Sequence, residues 1–212
     1  LAAELRAKHG TLCRIVPADL EQDAQVTALC EALADERIDL FINNAGFGAC
    51  GAFSETDAGK ELSMLRVNVL AMHRLFKFTL RKMEAQGFGT ILNVASSAGL
   101  LPGGPYMAGY YASKAYVVSL TRGVARELQE LHSPVYVCAL CPGPVDTEFN
   151  DRAGVVFALK GITPEFCVQE AMHGMMHRRT IIVPSAFMRA CTTAQKLLPA
   201  SLLMPIVARQ QK

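Results

Sequence analysis

The chain has 212 residues, of which 51% are hydrophobic and 19% are charged, a composition typical of a globular protein with one sizeable buried core. The formal net charge is +2 and no basic cluster stands out, so we predict that no nucleic acid is a partner. No run of about 18 apolar residues occurs, and we therefore predict no transmembrane segment.

Helices and strands are predicted to alternate along the chain. Residues 1–10 predict the end of a helix that Gly10 terminates, because glycine tolerates the left-handed cap conformation. Further helices are predicted at 20–36, at 57–85 as one or two helices, at 110–131, from Thr163 with proline at the first helical position, and at the C-terminus. Strands are predicted within 11–18, 39–46, 89–99, 134–144 and 180–184.

This alternation, with nearly continuous apolar strands, predicts an α/β fold in which helices cover both faces of a parallel sheet. Ligands bind such sheets beyond the C-terminal ends of the strands. Small and polar residues follow four of the strands, namely Asp19, NNAG at 43–46, ASSAG at 95–99 and CPGP at 141–144. The sequence therefore predicts one site along this edge of the sheet.

The cysteines and histidines give no sign of a metal site. The seven cysteines are odd in number and scattered, which is typical of reduced thiols, and no signal peptide is recognised, so we predict a cytoplasmic protein. Cys138 and Cys141 form a C-x-x-C pair without a second pair. His173 and His177 are one helical turn apart, but Gly174 stands where a zinc protease would need glutamate.

The C-terminal stretch LLPASLLMPIVA, residues 197–208, is apolar but short and contains two prolines. Three interpretations remain open for it, namely a docking helix, a dimer contact or a membrane-surface segment. We favour packing within the protein or its oligomer.

Tyr110 and Lys114 are four residues apart in the predicted helix 110–131, so their side chains share one helix face. The pKa of tyrosine is ordinarily near 10, and acting near neutrality requires a fall of about 3 units. A neighbouring ammonium group favours the phenolate and supplies part of that fall. The pair predicts a general acid/base that acts on a carbonyl or alcohol oxygen. Tyr111 and Tyr116 are predicted to pack on other faces of the helix.

Five motifs in this order resemble the short-chain dehydrogenase/reductase family. They are NNAG at 43–46, RVNVLA at 66–71, NVASSAG at 93–99, YYASK at 110–114 and PGPVDT at 142–147. The resemblance spans essentially the whole chain, and five ordered motifs are far more specific than Tyr-x-x-x-Lys alone. It implies a Rossmann-like, doubly wound parallel sheet in three α/β/α layers.

The resemblance implies catalytic roles for four residues. Tyr110 would be the general acid/base, and Lys114 would lower its pKa and bind the nicotinamide ribose. Asn68 would hold a water in a proton relay, although alone it could simply satisfy a buried helix turn. A serine at the end of the preceding strand would bind the substrate oxygen.

Two serines compete for that role. The motif alignment selects Ser96, whereas the family's usual separation from the tyrosine selects Ser97, which is 13 residues before Tyr110. An extra glycine within PGGP, residues 102–105, reconciles the strand-end alignment with this spacing, so we favour Ser96.

The resemblance also implies a nicotinamide dinucleotide, with NADP(H) favoured because the helix at 1–10 resembles members that prefer it, and NAD(H) as the alternative. Asp19 and Leu20 would lie beside the adenine ring, although Asp19 alone could equally cap a helix that starts at Leu20. The remaining cofactor-binding residues would be Asn44, Ala45, Gly46, Pro142, Gly143, Val145 and Thr147, together with Tyr110 and Lys114.

The family's glycine-rich turn and first two strands have no counterpart in these residues. We therefore expect one Rossmann-type domain over 1–212 that lacks an N-terminal β-α-β portion. A strand at 11–18 would then have no neighbour, and the cofactor's pyrophosphate would have no cradle.

The leading interpretation is an NAD(P)-dependent oxidoreductase that interconverts a carbonyl and an alcohol, favouring NADPH-linked reduction. A sugar-nucleotide epimerase ranks lower, because that class carries a long C-terminal substrate domain and only 65 residues follow PGPVDT here. A truncated, non-catalytic fragment or binding module is the other alternative. The substrate would be a small molecule and a lipophilic one, because the segment 148–161 offers Phe149, Val155, Val156, Phe157 and Leu159. The resemblance further implies a homodimer or homotetramer.

Overall fold

The computed structural model describes residues 1–149 and 161–209. Its strands are β1 (Leu40–Asn43), β2 (Gly89–Val94), β3 (Val135–Leu140) and β4 (Ile181–Ile182). Its α-helices are α1 (Ala2–His9), α2 (Asp23–Ala32), α3 (Ala58–Leu65), α4 (Met72–Gln86), α5 (Ala108–Glu130), α6 (Pro164–Met176), α7 (Ala186–Ala194) and α8 (Ala200–Arg209).

The described strands form one parallel sheet in the order β1-β2-β3-β4. The register aligns Phe41 with Ile91 and Ile91 with Val137. Helices connect each strand to the next, as parallel pairing requires. All four strands therefore end at the same edge, and the predicted α/β class is confirmed.

Helices cover both faces of the sheet because neighbouring residues of a strand point to opposite sides. Ile91 and Val137 pack with Phe76 of α4 and Val117 of α5 in one buried cluster. Leu92, Cys138 and Leu140 pack on the other side with Cys167 and Ala171 of α6. The predicted three-layer arrangement is thereby confirmed.

Buried amides link the sheet to the helices on one face. The Nδ2 of Asn43 donates to the Met72 carbonyl oxygen at 2.9 Å and to Asn93 Oδ1 at 3.3 Å. The Nδ2 of Asn93 in turn donates to Thr121 Oγ1 at 3.0 Å. Since an unsatisfied buried amide costs about 1–3 kcal/mol, this chain of bonds fixes how β1, β2, α4 and α5 meet.

Two predicted helix ends are confirmed. Gly10 follows α1 with a φ of 63°, and its N–H donates to the Arg6 carbonyl oxygen at 3.0 Å. Thr163 precedes Pro164 at the start of α6, and its Oγ1 accepts a hydrogen bond from the Phe166 N–H at 3.2 Å.

The predicted strand at 11–18 is wrong, since these residues form no strand in the described structure. A strand needs a neighbour for its backbone hydrogen bonds, and within the described residues β1 pairs only with β2. The apolar side chains of this segment are consequently open to solvent, with Leu12 97% and Ile15 71% exposed.

The predicted helix at 20–36 is shorter than expected, because α2 begins only at Asp23, with Gln22 as its N-cap residue. Asp19 therefore does not cap a helix that starts at Leu20. Its Oδ1 instead accepts a hydrogen bond from the Glu21 N–H at 3.0 Å.

The apolar C-terminal stretch at 197–208 falls mostly in α8, which a 3₁₀ turn at Gln195–Leu197 separates from α7. Leu203 and Val207 of α8 are buried, and Val207 packs in one cluster with Tyr110. This supports the prediction that the segment packs within the protein. Among the helices of residues 1–149 and 161–209, none combines the length and the apolar character needed to cross a bilayer.

Candidate active site

A cavity of about 730 Å³ lies where β2 and β3 end, and most of the predicted site residues line it. They are Asn44, Gly46, Ser96, Ser97, Tyr110, Lys114, Pro142, Gly143, Val145 and Thr147. Asn68 does not line the cavity but lies directly against Gly46. Ala45, Asp19 and Leu20 are also not among the described lining residues. The structure therefore brings the predicted catalytic residues together.

Tyr110 lies in the first turn of α5 and is only 7% exposed. Burial raises the pKa of its phenol to about 12, because an apolar environment disfavours the phenolate. A hydrogen bond with the Ser96 side chain acts in the opposite sense. Without a bound ligand, the pKa of the Tyr110 phenol is therefore raised, whereas the nearby ammonium group had predicted a fall.

Lys114 is one helical turn beyond Tyr110 and is only 5% exposed. Its Nζ donates to the Val94 carbonyl oxygen at 2.9 Å and lies 5.9 Å from the centre of the Tyr110 ring. Burial lowers the pKa of this ammonium group to about 8, with Cys141 acting in the opposite sense. Lys114 is thus still mainly protonated at neutral pH and lies beside the phenol.

Ser96 and Ser97 both line the cavity but make different contacts. The Ser96 Oγ accepts a hydrogen bond from the Ala98 N–H at 3.1 Å, and its side chain lies close enough to Tyr110 to act against the rise in the pKa of the phenol. Ser97 is buried, and its N–H donates to the Pro142 carbonyl oxygen at 2.7 Å. This effect on Tyr110 supports Ser96 as the serine that would bind a substrate oxygen.

This difference leads to a first prediction: if the site acts on a carbonyl or alcohol oxygen as the motifs imply, Ser96→Ala lowers kcat by roughly 10²-fold or more, by analogy with loss of an oxyanion donor. Ser97→Ala is the matched control, and we expect it to keep most of the activity. Steady-state rates of the two purified variants measure the effect. The reverse order of activities would assign the role to Ser97.

Asn68 lies in a single π-helical turn, Arg66–Ala71, between α3 and α4. Such turns are rare and are frequent at functional sites. The Asn68 Oδ1 accepts from the Phe47 N–H at 3.1 Å, and its Nδ2 donates to the Phe47 carbonyl oxygen at 2.8 Å and to Ser113 Oγ at 3.2 Å. These bonds hold the segment after β1 against the helix that carries Tyr110.

Gly46 provides the space for this packing. A Cβ atom at Gly46 would lie 2.8 Å from Asn68 Oδ1 and 3.3 Å from Lys114 Nζ. The first distance is shorter than real Cβ contacts, so a larger residue would displace the Asn68 amide and press on the lysine. Gly46 thus lets the end of β1 approach both predicted site residues.

Sequence reasoning missed the residues that the C-terminal helices bring to the cavity. They are Phe187, Met188, Cys191 and Thr192 of α7, Gln195, and Leu203, Ile206 and Val207 of α8. The apolar C-terminal stretch was a signal for packing but not for a site. Of the predicted substrate-contacting residues, Phe149 lines the cavity with its ring 5.5 Å from that of Tyr110. Val155, Val156, Phe157 and Leu159 lie outside the described residues.

Comparison with known proteins agrees with this geometry. The family model for short chain dehydrogenases matches residues 1–154. Dehydrogenase/reductase SDR family member 6 of Xenopus laevis is 35% identical over 145 residues, which cover 68% of this chain and 56% of the relative. The chain thus matches little more than half the length of that curated relative.

Two solved structures share the fold. A short-chain dehydrogenase from Sphingobium yanoikuyae in complex with NADPH has 30% sequence identity and a TM-score of 0.82, covering 95% of this chain and 79% of that one. A short chain dehydrogenase/reductase from Burkholderia phymatum in complex with NAD has 26% identity and a TM-score of 0.82, covering 96% of this chain and 81% of that one.

Proposed function

The chain belongs to the short-chain dehydrogenase/reductase family, and from this premise we propose that it interconverts a carbonyl compound and an alcohol by hydride exchange with a nicotinamide dinucleotide. The observation that carries the proposal is that Tyr110, Ser96 and Lys114 line one cavity, where the Ser96 side chain acts to lower the pKa of the phenol. This arrangement can give a proton to a substrate oxygen and hold that oxygen in place.

The residues around the strand ends fit a dinucleotide. We propose that Lys114, Asn44 and Thr147 bind its polar groups, while Gly46 and Gly143 allow close backbone approach. Gly46 also keeps Lys114 in its place, because even one added carbon there would crowd Asn68 and Lys114. The family resemblance would complete this set with Ala45 lining the cofactor, Pro142 and Val145 near the nicotinamide, and Asp19 and Leu20 beside the adenine.

When bound, the cofactor would supply the hydride for reduction or accept it for oxidation. Tyr110 is protonated at neutral pH because burial raises its pKa to about 12, so it can donate a proton to a carbonyl oxygen. Ser96 would orient that oxygen. The Lys114 ammonium would stabilise the phenolate that remains, and Asn68 would hold a water in the relay that returns a proton from solvent.

The cavity favours a neutral, lipophilic substrate. Lys114 is the sole charged side chain among its described lining residues, and Leu101, Met107, Val145 and Phe149 supply much of the wall. A carboxylate or phosphate on the substrate would have no second cation there. We therefore propose a ketone or aldehyde with an apolar body, and NADPH as the favoured reductant.

The first test is thermal melting of the chain with NADPH, and separately with NADH, followed by reduction of 1-tetralone with the cofactor that binds. A ligand at 100 times its Kd adds about 2.7 kcal/mol to the free energy of unfolding, so Tm should rise by roughly 5–11 °C. The cofactor giving the larger rise identifies the preference. A cooperative melt that neither cofactor shifts, with no turnover, would instead support a non-catalytic binding module.

A further inference from the structure

The helix α8 packs one apolar face against the protein and leaves a second apolar face open to solvent. Leu202 and Ile206 are four residues apart and therefore share this outer face. Leu197 and Leu198 come just before the helix, and these four side chains are between 45% and 87% exposed. We call them the α8 patch. Exposed apolar residues gathered in one segment, unlike scattered ones, mark a surface for contact with another molecule.

The α8 patch is continuous with the rim of the cavity. Ile206 belongs to the patch and also lines the cavity. Phe187 of α7 and Val168 of α6 line the cavity as well, and all three side chains are more than half exposed. A residue that both lines a cavity and is open to solvent lies at its rim. Three helices thus supply an apolar rim, which the α8 patch extends outwards.

The charges around the α8 patch have a single sign. Residues 171–212 contain no aspartate or glutamate, whereas they contain six lysines and arginines. Lys196 lies in the turn before α8 and Arg209 ends the helix, so a cation stands at each end of the patch. Both side chains are exposed, and neither forms an ion pair with any residue of 1–149 or 161–209. The patch therefore fits a partner that is both apolar and negatively charged.

A second copy of the chain would also cover an apolar surface, but the charges argue against it. A two-fold contact uses the same patch of both copies. It would bring the cations of both copies to one contact, and residues 171–212 supply no carboxylate to neutralise them. Like charges placed together are unfavourable at an interface. A lipid bilayer with anionic headgroups offers an apolar layer beneath a negative surface, which matches both properties of the patch.

We propose that the α8 patch docks on the surface of an anionic lipid bilayer. The helix α8 lies along the interface, with its exposed leucines among the upper acyl chains and with Lys196 and Arg209 at the headgroups. Segments of this kind enter about 5–10 Å into the boundary between headgroups and acyl chains. The docking does not depend on the proposed reaction. It would give a lipophilic substrate a direct path from the bilayer to the rim of the cavity.

Co-sedimentation with lipid vesicles tests the docking, using phosphatidylcholine vesicles that either contain or lack phosphatidylserine. We expect the wild-type chain to bind the phosphatidylserine vesicles more tightly by about tenfold or more, because each cation near an anionic surface contributes about fivefold. High salt should remove this preference by screening the charges. Equal binding to the two kinds of vesicle, or binding to neither, would overturn the proposal.

The apolar contribution is measured with Leu197→Ser/Leu202→Ser, which changes two residues of the patch that do not line the cavity. Binding to the phosphatidylserine vesicles should fall by about tenfold or more, because two leucine side chains no longer leave water. Leu12→Ser/Leu131→Ser is the matched control, since these leucines are also exposed but lie outside the patch. The control should bind like the wild type. Equal losses in the two variants would contradict a specific role of the patch.

The contribution of charge is measured with Lys196→Gln/Arg209→Gln, which should remove the preference for phosphatidylserine. The control Lys8→Gln/Lys60→Gln takes the same net charge from exposed positions of α1 and α3 and should keep the preference. An unchanged preference in the first variant, or an equal loss in both, would overturn the proposal. This pair also decides the question if the leucine variant of the patch does not fold.

Sedimentation velocity without lipid tests the second copy as the occupant. We expect the wild type and Leu197→Ser/Leu202→Ser to have the same oligomeric state, because the patch faces lipid rather than protein. A wild-type oligomer that the two substitutions dissociate would assign the α8 patch to an interface between copies and would overturn the docking on a bilayer.

Discussion

Tyr110→Phe is expected to lower kcat for ketone reduction by roughly 10²- to 10⁴-fold, the usual contribution of a positioned general acid. The variant loses only the phenolic hydroxyl, and the ring keeps its place in the cluster with Tyr111 and Val207. Steady-state rates with 1-tetralone measure the effect, and thermal melting with the preferred cofactor checks that binding survives. A loss of kcat with an unchanged cofactor shift would place the defect in proton transfer.

Tyr116→Phe is the matched control for this prediction. Tyr116 is on the same helix, but it is 38% exposed and its hydroxyl hydrogen-bonds to His73 Nδ1 at 2.7 Å, outside the cavity. The same atom is removed, so we expect kcat to stay within about twofold, because surface changes have small effects. Equal losses in the two variants, or full activity in Tyr110→Phe, would contradict the assignment of Tyr110.

The pKa of Tyr110 shows what local sequence spacing could and could not predict. The i, i+4 relation correctly placed Lys114 beside the phenol, with Nζ 5.9 Å from the ring centre. It could not give the direction of the pKa shift, because that depends on how deeply the whole fold buries both groups. Burial raises the pKa of Tyr110 and lowers that of Lys114, so both shifts favour the neutral forms.

The sheet shows the same division between local and non-local information. Hydrophobic runs predicted β1 to β4, and the small residues after them predicted the edge where the cavity lies. The run at 11–18 carries a similar pattern, yet it forms no strand, because a strand depends on the hydrogen bonds of a neighbour.

The position of Gln195 on the cavity wall could not be predicted from the sequence, for a related reason. Gln195, two residues before the apolar C-terminal stretch, belongs to no motif, and its hydrogen-bond partner Leu100 is 95 residues earlier in the chain. Only the folded structure brings α7 and α8 against the cavity and shows that Oε1 lacks a donor among the described residues. The contribution of α7 and α8 to this wall therefore depends on tertiary packing, whereas the serine, tyrosine and lysine could be found from ordered motifs.

The second large effect is expected at Gly99, where the segment that carries Ser96 meets the helix that carries Tyr110. A Cβ atom at Gly99 would lie 2.6 Å from the Lys114 carbonyl carbon, closer still to its oxygen, and 2.9 Å from Val118 Cγ2. The first obstacle is the backbone of α5, which cannot rotate away as a side chain can. The distance between Ser96 and Tyr110 thus depends on glycine at this position.

Gly99→Ala should therefore reduce the free energy of unfolding by about 1–3 kcal/mol, the usual cost of overpacking, and lower Tm by roughly 2–12 °C. Gly123→Ala is the matched control on α5. Gly123 is exposed and an added Cβ would meet no atom within 4 Å, so alanine should raise stability by about 0.5–1 kcal/mol through helix propensity. Opposite shifts in thermal melting would show that the close approach at Gly99, rather than alanine itself, is responsible. Equal shifts of the same sign would mean that the serine segment can move off α5 freely, and Gly99 would then have no role in setting the site.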